Sequence, residues 1–247
     1  MVQRVAIITG AGSGIGRAAA VALSRRGFSL GLAGRRLSDL NETAGMCDGE
    51  AWCEAVDVRH ADEIARFFST AAQRWSRLDL LFNNAGTNIA AKPIHEQSTG
   101  DLSDVITTNL LGAIFCAREA FSWMSRQSPQ GGRIINNGSV SAYAPRPFSP
   151  AYTAAKHGVT GLTKSLNLDG WKFGVTCCQI DIGNAAVART EQIAKGVLQA
   201  NGTVASEPRI DVELVARQVA DLADLPSDAV IPFLTIMPNG MPLYGRG

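Results

Sequence analysis

Apolar residues fall along this chain in two alternating rhythms. Short, nearly continuous runs read as strands: RVAIIT, FSLGLAG, EAWCEAVDV, LDLLFNNAG, GGRIINNGS, GVTCCQIDIG and IPFLTIM. Between them, apolar positions recur at helical spacing. IGRAAAVALSRRG, stopped by Gly27, is one helix, and others are predicted from about Leu37, over ADEIARFFSTAAQRW, and across roughly 101 to 126. Further helices are predicted from near Pro150 and at about 190 to 200 and 211 to 223. Runs such as AII and DLLF lack a polar face, which suits strands buried on both sides of a parallel sheet. Regular strand–helix alternation then predicts an α/β fold, a doubly wound parallel sheet of about seven strands with helices on both faces. No repeat or linker interrupts the pattern, so residues 1 to 247 are expected to form a single domain.

In such a sheet, ligands bind beyond the carboxyl ends of the strands. The segment TGAGSGIG, residues 9 to 16, occupies that place between the first strand and the first helix. Glycines there permit a sharp turn and bring backbone N–H groups and a helix N-terminus close to a phosphate. The strict G-x-G-x-x-G spacing fails, because counting from Gly10 puts Ile15 at the third glycine. The second strand ends LAGRR. Where an acidic residue would hold the ribose hydroxyl of NAD stands Gly34, followed by Arg35 and Arg36. Arginines suit the 2′-phosphate of NADP, and Arg35 is the expected contact.

Composition narrows the classes. Apolar residues make up 46% and charged residues 18%, and the formal charge of +1 predicts neither nucleic acid nor an anionic membrane as partner. No apolar run reaches the roughly 20 residues of a membrane helix. VAIIT follows Met1 almost directly, so no signal peptide is expected. Five cysteines without metal-ligand spacing read as buried free thiols in a reducing cytoplasm, and no metal site is expected. Neighbouring Cys177 and Cys178 should face opposite sides of their strand.

AYTAAKH, residues 151 to 157, puts Tyr152 and Lys156 four apart, on one face of a helix. Together with Thr9, Gly10, Gly14 and Gly16, the N-N-A-G of Asn83, Asn84, Ala85 and Gly86, Asn109 in TTNLLG and Ser139 in NNGSVSA, the chain strongly resembles the short-chain dehydrogenase/reductase family. The resemblance runs from Val5 to about Gly183 and implies a Rossmann-like fold. It implies that Tyr152 is general acid in reduction and base in oxidation, that Lys156 lowers its pKa and binds the nicotinamide ribose, and that Ser139 donates to the substrate oxygen. Asn109 would hold a water linking Lys156 to solvent. It further implies cofactor contacts from Gly10, Ser13, Gly14, Ile15, Gly16, Arg35, Arg36, Asp57 (to the adenine amino group), Val58, Asn84, Ala85, Gly86, Tyr152, Lys156 and Gly183. The chemistry suits a tyrosine–lysine pair, because a phenol near pKa 10 exchanges protons poorly at neutrality and a nearby ammonium favours its ionised form. Ser141 is a rival hydroxyl, but the family's spacing of thirteen residues before the tyrosine selects Ser139.

Two positions depart from the family pattern. Ile182 stands for the usual proline and Val187 for a threonine that contacts the carboxamide, leaving that contact to Gly183 and backbone groups. The ending PFLTIMPNGMPLYGRG lacks the frequent D-G-G. Residues 184 to 209 are expected to form a substrate lid, and Tyr143, Arg146, Phe148 and Arg189 are candidates to receive a substrate with an apolar body and an acidic group. The expected activity is hydride transfer between NADP(H) and a small carbonyl or secondary alcohol. The alternatives are an NAD-linked alcohol dehydrogenase of the same family and a non-catalytic dinucleotide-binding regulatory module. A homo-oligomer, tetramer or dimer, is implied.

Overall fold

The computed structural model describes residues 3–243, so Met1, Val2 and the last four residues of the chain's ending lie outside the described residues. The chain runs β1 (Arg4–Thr9), α1 (Gly14–Arg25), β2 (Phe28–Gly34), α2 (Leu37–Ala44), β3 (Ala51–Ala55), α3 (Ala61–Arg74) and β4 (Leu80–Asn83). It continues through α4 (Thr99–Ile106), α5 (Gly112–Met124), β5 (Gly132–Asn137), α6 (Pro150–Gly170) and β6 (Val175–Ile182). The last elements are α7 (Glu191–Lys195), β7 (Val197–Leu198), β8 (Val204–Ala205), α8 (Val212–Ala223) and β9 (Phe233–Ile236). Seven strands form one sheet in the order β3-β2-β1-β4-β5-β6-β9, and every pairing in it is parallel. The order reverses between β1 and β4, which creates the crevice where doubly wound sheets bind ligands.

The unbroken apolar strands are explained by a core on each side of the sheet. Leu23 of α1, Leu40 of α2 and Val215 and Val219 of α8 cover one face, and Ile64 and Phe67 of α3 and Cys116 and Ala117 of α5 cover the other. Cys178 belongs to the first core and Cys177 to the second, both fully buried, as the alternation of a strand requires. All five cysteines are free thiols, but Cys47 and Cys53 are only half-buried, contrary to the expectation of burial for all. These two lie on and beside the outer strand β3, which has a neighbour on one edge only.

Two sequence expectations need correction. The helix predicted across 101 to 126 is broken by a π-helical turn, Thr107–Leu111, between α4 and α5. The helix predicted at about 190 to 200 stops at Lys195, and Val197–Leu198 pairs with Val204–Ala205 as an antiparallel hairpin. Gly196, at φ 144°, cannot continue a helix, and Asn201–Gly202, with Gly202 at φ 83°, turns the hairpin. The base of this excursion is closed where Ala186 N–H donates to Ile210 O (2.7 Å) and Ile210 N–H to Asn184 O (2.8 Å).

Candidate active site

At the carboxyl end of β1 the chain turns at Gly10 (φ 64°) and Gly14 (φ 54°), in conformations that only glycine adopts without strain. Gly16 is needed for close approach instead. A Cβ there would come within 2.2 Å of the Gly10 carbonyl oxygen, so the bare residue lets α1 close onto the turn. Ser13, in N-cap position, makes no side-chain cap, so the first N–H groups of α1 have no side-chain acceptor there. The strand β4 is tied to the same turn. Thr9 Oγ1 accepts from the N–H groups of Asn84 and Ala85 (2.9 Å each), and Asn84 Nδ2 donates to Thr9 O at 3.0 Å.

These elements wall a cleft of about 500 Å³. Gly10, Ser13, Gly14, Ile15, Arg35, Arg36, Asp57, Val58, Asn84, Ala85 and Gly86 all line it, together with Val187, Ala188 and Arg189 from the segment after β6. Gly16 is packed behind the lining. Gly183 is not part of it either: its surroundings are Met237 and Met241, whose atoms would lie 2.8 and 2.9 Å from an added Cβ. The two arginines after β2 differ. Arg36 Nε donates to Asp39 Oδ2 at 2.6 Å, whereas Arg35 is exposed on the cleft wall with no ion-pair partner among the described residues. Asp57 is also engaged, because its carboxylate accepts from Arg59 Nη2 (2.7 Å) and Nε (3.0 Å), and Arg59 Nη1 reaches on to Asp104 at 3.2 Å.

Ser139 follows β5, and Tyr152 and Lys156 stand in the first two turns of α6. Asn109 sits in the π-helical turn, a feature frequent at functional sites. Its amide clasps Thr87, accepting from the N–H (2.7 Å) and donating to the carbonyl (2.8 Å). Ser139 Oγ accepts from Ser141 N–H at 3.1 Å. Lys156 is buried, donates to Asn137 O at 2.6 Å and lies 5.6 Å from the Tyr152 ring centre. Burial alone would raise the Tyr152 pKa. The Lys156 ammonium, the Ser139 hydrogen bond and the charges of Arg189 and Arg146 outweigh it and hold the phenol below its ordinary 10.0. Burial also lowers Lys156, against the attraction of Tyr152.

The candidates for an acidic substrate group do not stand free. Arg146 Nη2 is held by Asn184 Oδ1 (2.7 Å) and pairs with Glu207, a carboxylate only 2% exposed that also accepts from Asn184 Nδ2 and Gln199 Nε2. Arg189 reaches from the segment after β6 to Gly86 O at 2.8 Å. Phe148 (φ 61°) holds a strained backbone in the loop after Ser139. Val187 supplies no hydroxyl, and that of nearby Thr190 is engaged with Val187 O at 2.9 Å. Sequence reasoning missed Arg59, Glu207 and Asp181. The last had a visible signal, a lone carboxylate in the apolar run IDIG.

Residues 4–197 match the family described as short chain dehydrogenase. Among curated relatives, a 3beta-hydroxysteroid dehydrogenase of Mediterraneibacter gnavus is 32% identical over 85% of this chain and 76% of its own length. A D-beta-hydroxybutyrate dehydrogenase of Rhizobium meliloti is 35% identical over 70% of this chain and 68% of its own. Among solved structures, a variant of actinorhodin polyketide ketoreductase with NADPH superposes at TM-score 0.85, 25% identical, over 95% of this chain and 96% of that one. A metagenomic short-chain oxidoreductase in complex with NADP superposes at TM-score 0.80, 27% identical, over 95% and 96%.

Proposed function

Because the chain belongs to the short chain dehydrogenase family, we propose that it transfers hydride between NADP(H) and a small carbonyl or secondary alcohol, with Tyr152 as the general acid or base. The observation that carries this reading is the Tyr152 phenol held below its ordinary pKa between Lys156 and Ser139. The residues present fit the cofactor: a positive-φ glycine cradle, a helix N-terminus without a side-chain cap and an unpaired Arg35 on the cleft wall. The NADP and NADPH complexes of similar structures support the same choice. When bound, the nucleotide supplies or takes the hydride at the substrate carbon.

The chain's own residues handle the proton. Ser139 Oγ accepts from Ser141 N–H, and the one hydrogen it gives Tyr152 would turn to the substrate oxygen, where charge develops. In reduction the Tyr152 O–H gives its proton to that oxygen, and Lys156, fixed by Asn137 O, stabilises the phenolate left behind. A water on the Asn109 backbone carbonyl would return the proton through Lys156. For Asp57 to bond the adenine amino group, Arg59, which donates to both carboxylate oxygens, would have to give up part of its hold.

Titration with NADPH and NADH, followed by nucleotide fluorescence at fixed salt, tests the cofactor. Loss of a charge-assisted contact in Arg35→Ala is expected to weaken NADPH by about tenfold or more and to leave NADH unchanged. Equal binding of the two nucleotides overturns the preference and favours the NAD-linked alcohol dehydrogenase, a reading supported by the Asp39 carboxylate on the cleft wall. We place the protein in a reducing cytoplasm, supported by its free thiols. Leu168 and Trp171, 67% and 80% exposed at the end of α6, support a homo-oligomer, tetramer or dimer. Sedimentation as a monomer at assay concentration would overturn that assembly.

A further inference from the structure

Strand β6 buries a carboxylate beneath the catalytic loop. Asp181 is 0% exposed and accepts three hydrogen bonds, from Ser139 N–H (2.9 Å), Gln179 Nε2 (2.7 Å) and Tyr143 O–H (2.8 Å). The loop lies flush on it, since a Cβ on Gly138 would stand 2.1 Å from Asp181 Oδ1. One side chain therefore grips the loop at Ser139 and again at Tyr143. Gln179 is itself fixed, donating to Thr160 Oγ1 (3.0 Å) and accepting from Thr163 Oγ1 (3.1 Å), which ties the carboxylate to α6. All three partners are donors, and an ionised carboxylate is an acceptor only, so the set matches the charged form.

A buried charge needs a counter-charge. Burial pushes the Asp181 pKa up, against its hydrogen bonds from Tyr143, Gln179 and the Ser139 N–H and against the charge of Lys156 on α6. Burial likewise lowers Lys156, which the charge of Asp181 partly offsets. Lys156 has a backbone carbonyl as its hydrogen-bond partner, which brings no full charge. The other titratable or charged groups acting on this set are Tyr152 on α6, Tyr143 and Arg146 on the loop, and Arg189, which repels the Lys156 ammonium. Burial and the Asp181 contact push Tyr143 up to about 12, so it remains a donor through the neutral range.

We propose that Asp181 is a positioning residue of the active site, holding Ser139 against Tyr152 and balancing the charge of Lys156. It acts through those residues and does not touch the substrate, and the proposal rests on the catalytic roles given to them above. Hydrogen bonding alone does not call for a carboxylate here. An asparagine could accept from Ser139 and Gln179 with its oxygen and donate to the Tyr143 oxygen, because a hydroxyl works in either sense. What the aspartate adds is its charge.

Asp181→Asn separates the two. The variant is expected to fold with a lower Tm, because Lys156 loses its counter-charge, and to bind NADPH unchanged, with kcat for carbonyl reduction about tenfold lower. Removing a negative charge makes the Tyr152–Lys156 pair lose its first proton more easily. The alkaline limb of the reduction profile should therefore move to lower pH by about one unit. An unmoved limb overturns the proposal, whether or not kcat has fallen, because a merely displaced loop lowers kcat without moving the limb. If Asp181→Asn does not fold, Tyr143→Phe decides. That ring is exposed, and loss of its strut should lower kcat roughly threefold or more at constant KM, whereas unchanged kcat overturns the proposal. Tyr152→Phe is assayed alongside: if it stays active, the catalytic reading itself fails, and if it is inactive while the Asp181→Asn limb stays put, only this inference fails.

Discussion

A phenol whose pKa is lowered makes a direct claim about pH. In the mechanism we propose, as pH rises through the Tyr152 pKa, which lies below the ordinary 10.0, the acid needed for reduction disappears and the base needed for oxidation forms. Reduction should therefore fall along an alkaline limb where oxidation rises, and initial rates measured in both directions check the crossing. Tyr152→Phe should lower kcat by about 10²–10⁴-fold, with NADPH affinity nearly unchanged. Measurable loss of nucleotide binding instead would make Tyr152 a cofactor residue first. That Tyr152 and Lys156 come together was legible because their spacing of four is a local, helical fact, and the loop position of Ser139 because it sits in a short motif after a strand. Asp181, Arg59 and Glu207 were not. Each acts on partners that only the fold brings close, such as Asp181 on Tyr143 or Glu207 on Arg146, which are 38 and 61 positions apart in the chain.

Helices and strands were legible where one rhythm governs a whole segment. Alternating runs placed all seven strands of the sheet, whereas the stretch across 101 to 126 hid a π-helical turn. Such a bulge changes the hydrogen-bond register without interrupting the apolar pattern, so periodicity cannot mark it. The hairpin after α7 had a readable signal in Asn201–Gly202, which the weak helical pattern around it masked. This segment is also where an element-scale prediction belongs. Arg146 on the catalytic loop pairs with Glu207 near the end of the excursion, and the pair is 24% and 2% exposed. Its hydrogen bonds hold the Glu207 pKa below the ordinary 4.5 against the penalty of burial, so the contact persists down to pH below 4.5 and weakens only as pH falls through that lowered value. Glu207→Gln should loosen the segment by about 2–3 kcal/mol, read as faster amide exchange at residues 184 to 209 while the sheet keeps its protection. Uniform loss of protection across the sheet would instead make the pair part of the global core.

At the scale of the molecule, stability and cofactor affinity are linked, and two residues of the cleft separate them. A ligand present at about 100 times its Kd and bound only to the folded chain adds about 2.7 kcal/mol, a shift in Tm of roughly 5–10 °C for a domain of this size. Arg35 stands on the cleft wall, and no ion pair among the described residues depends on its charge. Arg35→Ala should leave the Tm of the unliganded protein within about 1 °C and remove about half or more of the NADPH-induced shift, since tenfold weaker binding leaves only about 1.4 kcal/mol of it. Gly16 gives the opposite case. A methyl group there meets the Gly10 carbonyl oxygen at 2.2 Å and Asn84 Nδ2 at 2.6 Å, contacts that also tie β4 to the turn. Gly16→Ala should therefore lower the unliganded Tm, by about 1–3 kcal/mol of stability, and weaken the nucleotide shift as well, because the turn must open to admit the methyl group. Scanning calorimetry of both variants, with and without NADPH, reads all four values. Equal loss of unliganded stability in the two would show that Arg35 supports the fold, and would remove the argument that its charge is held for a 2′-phosphate.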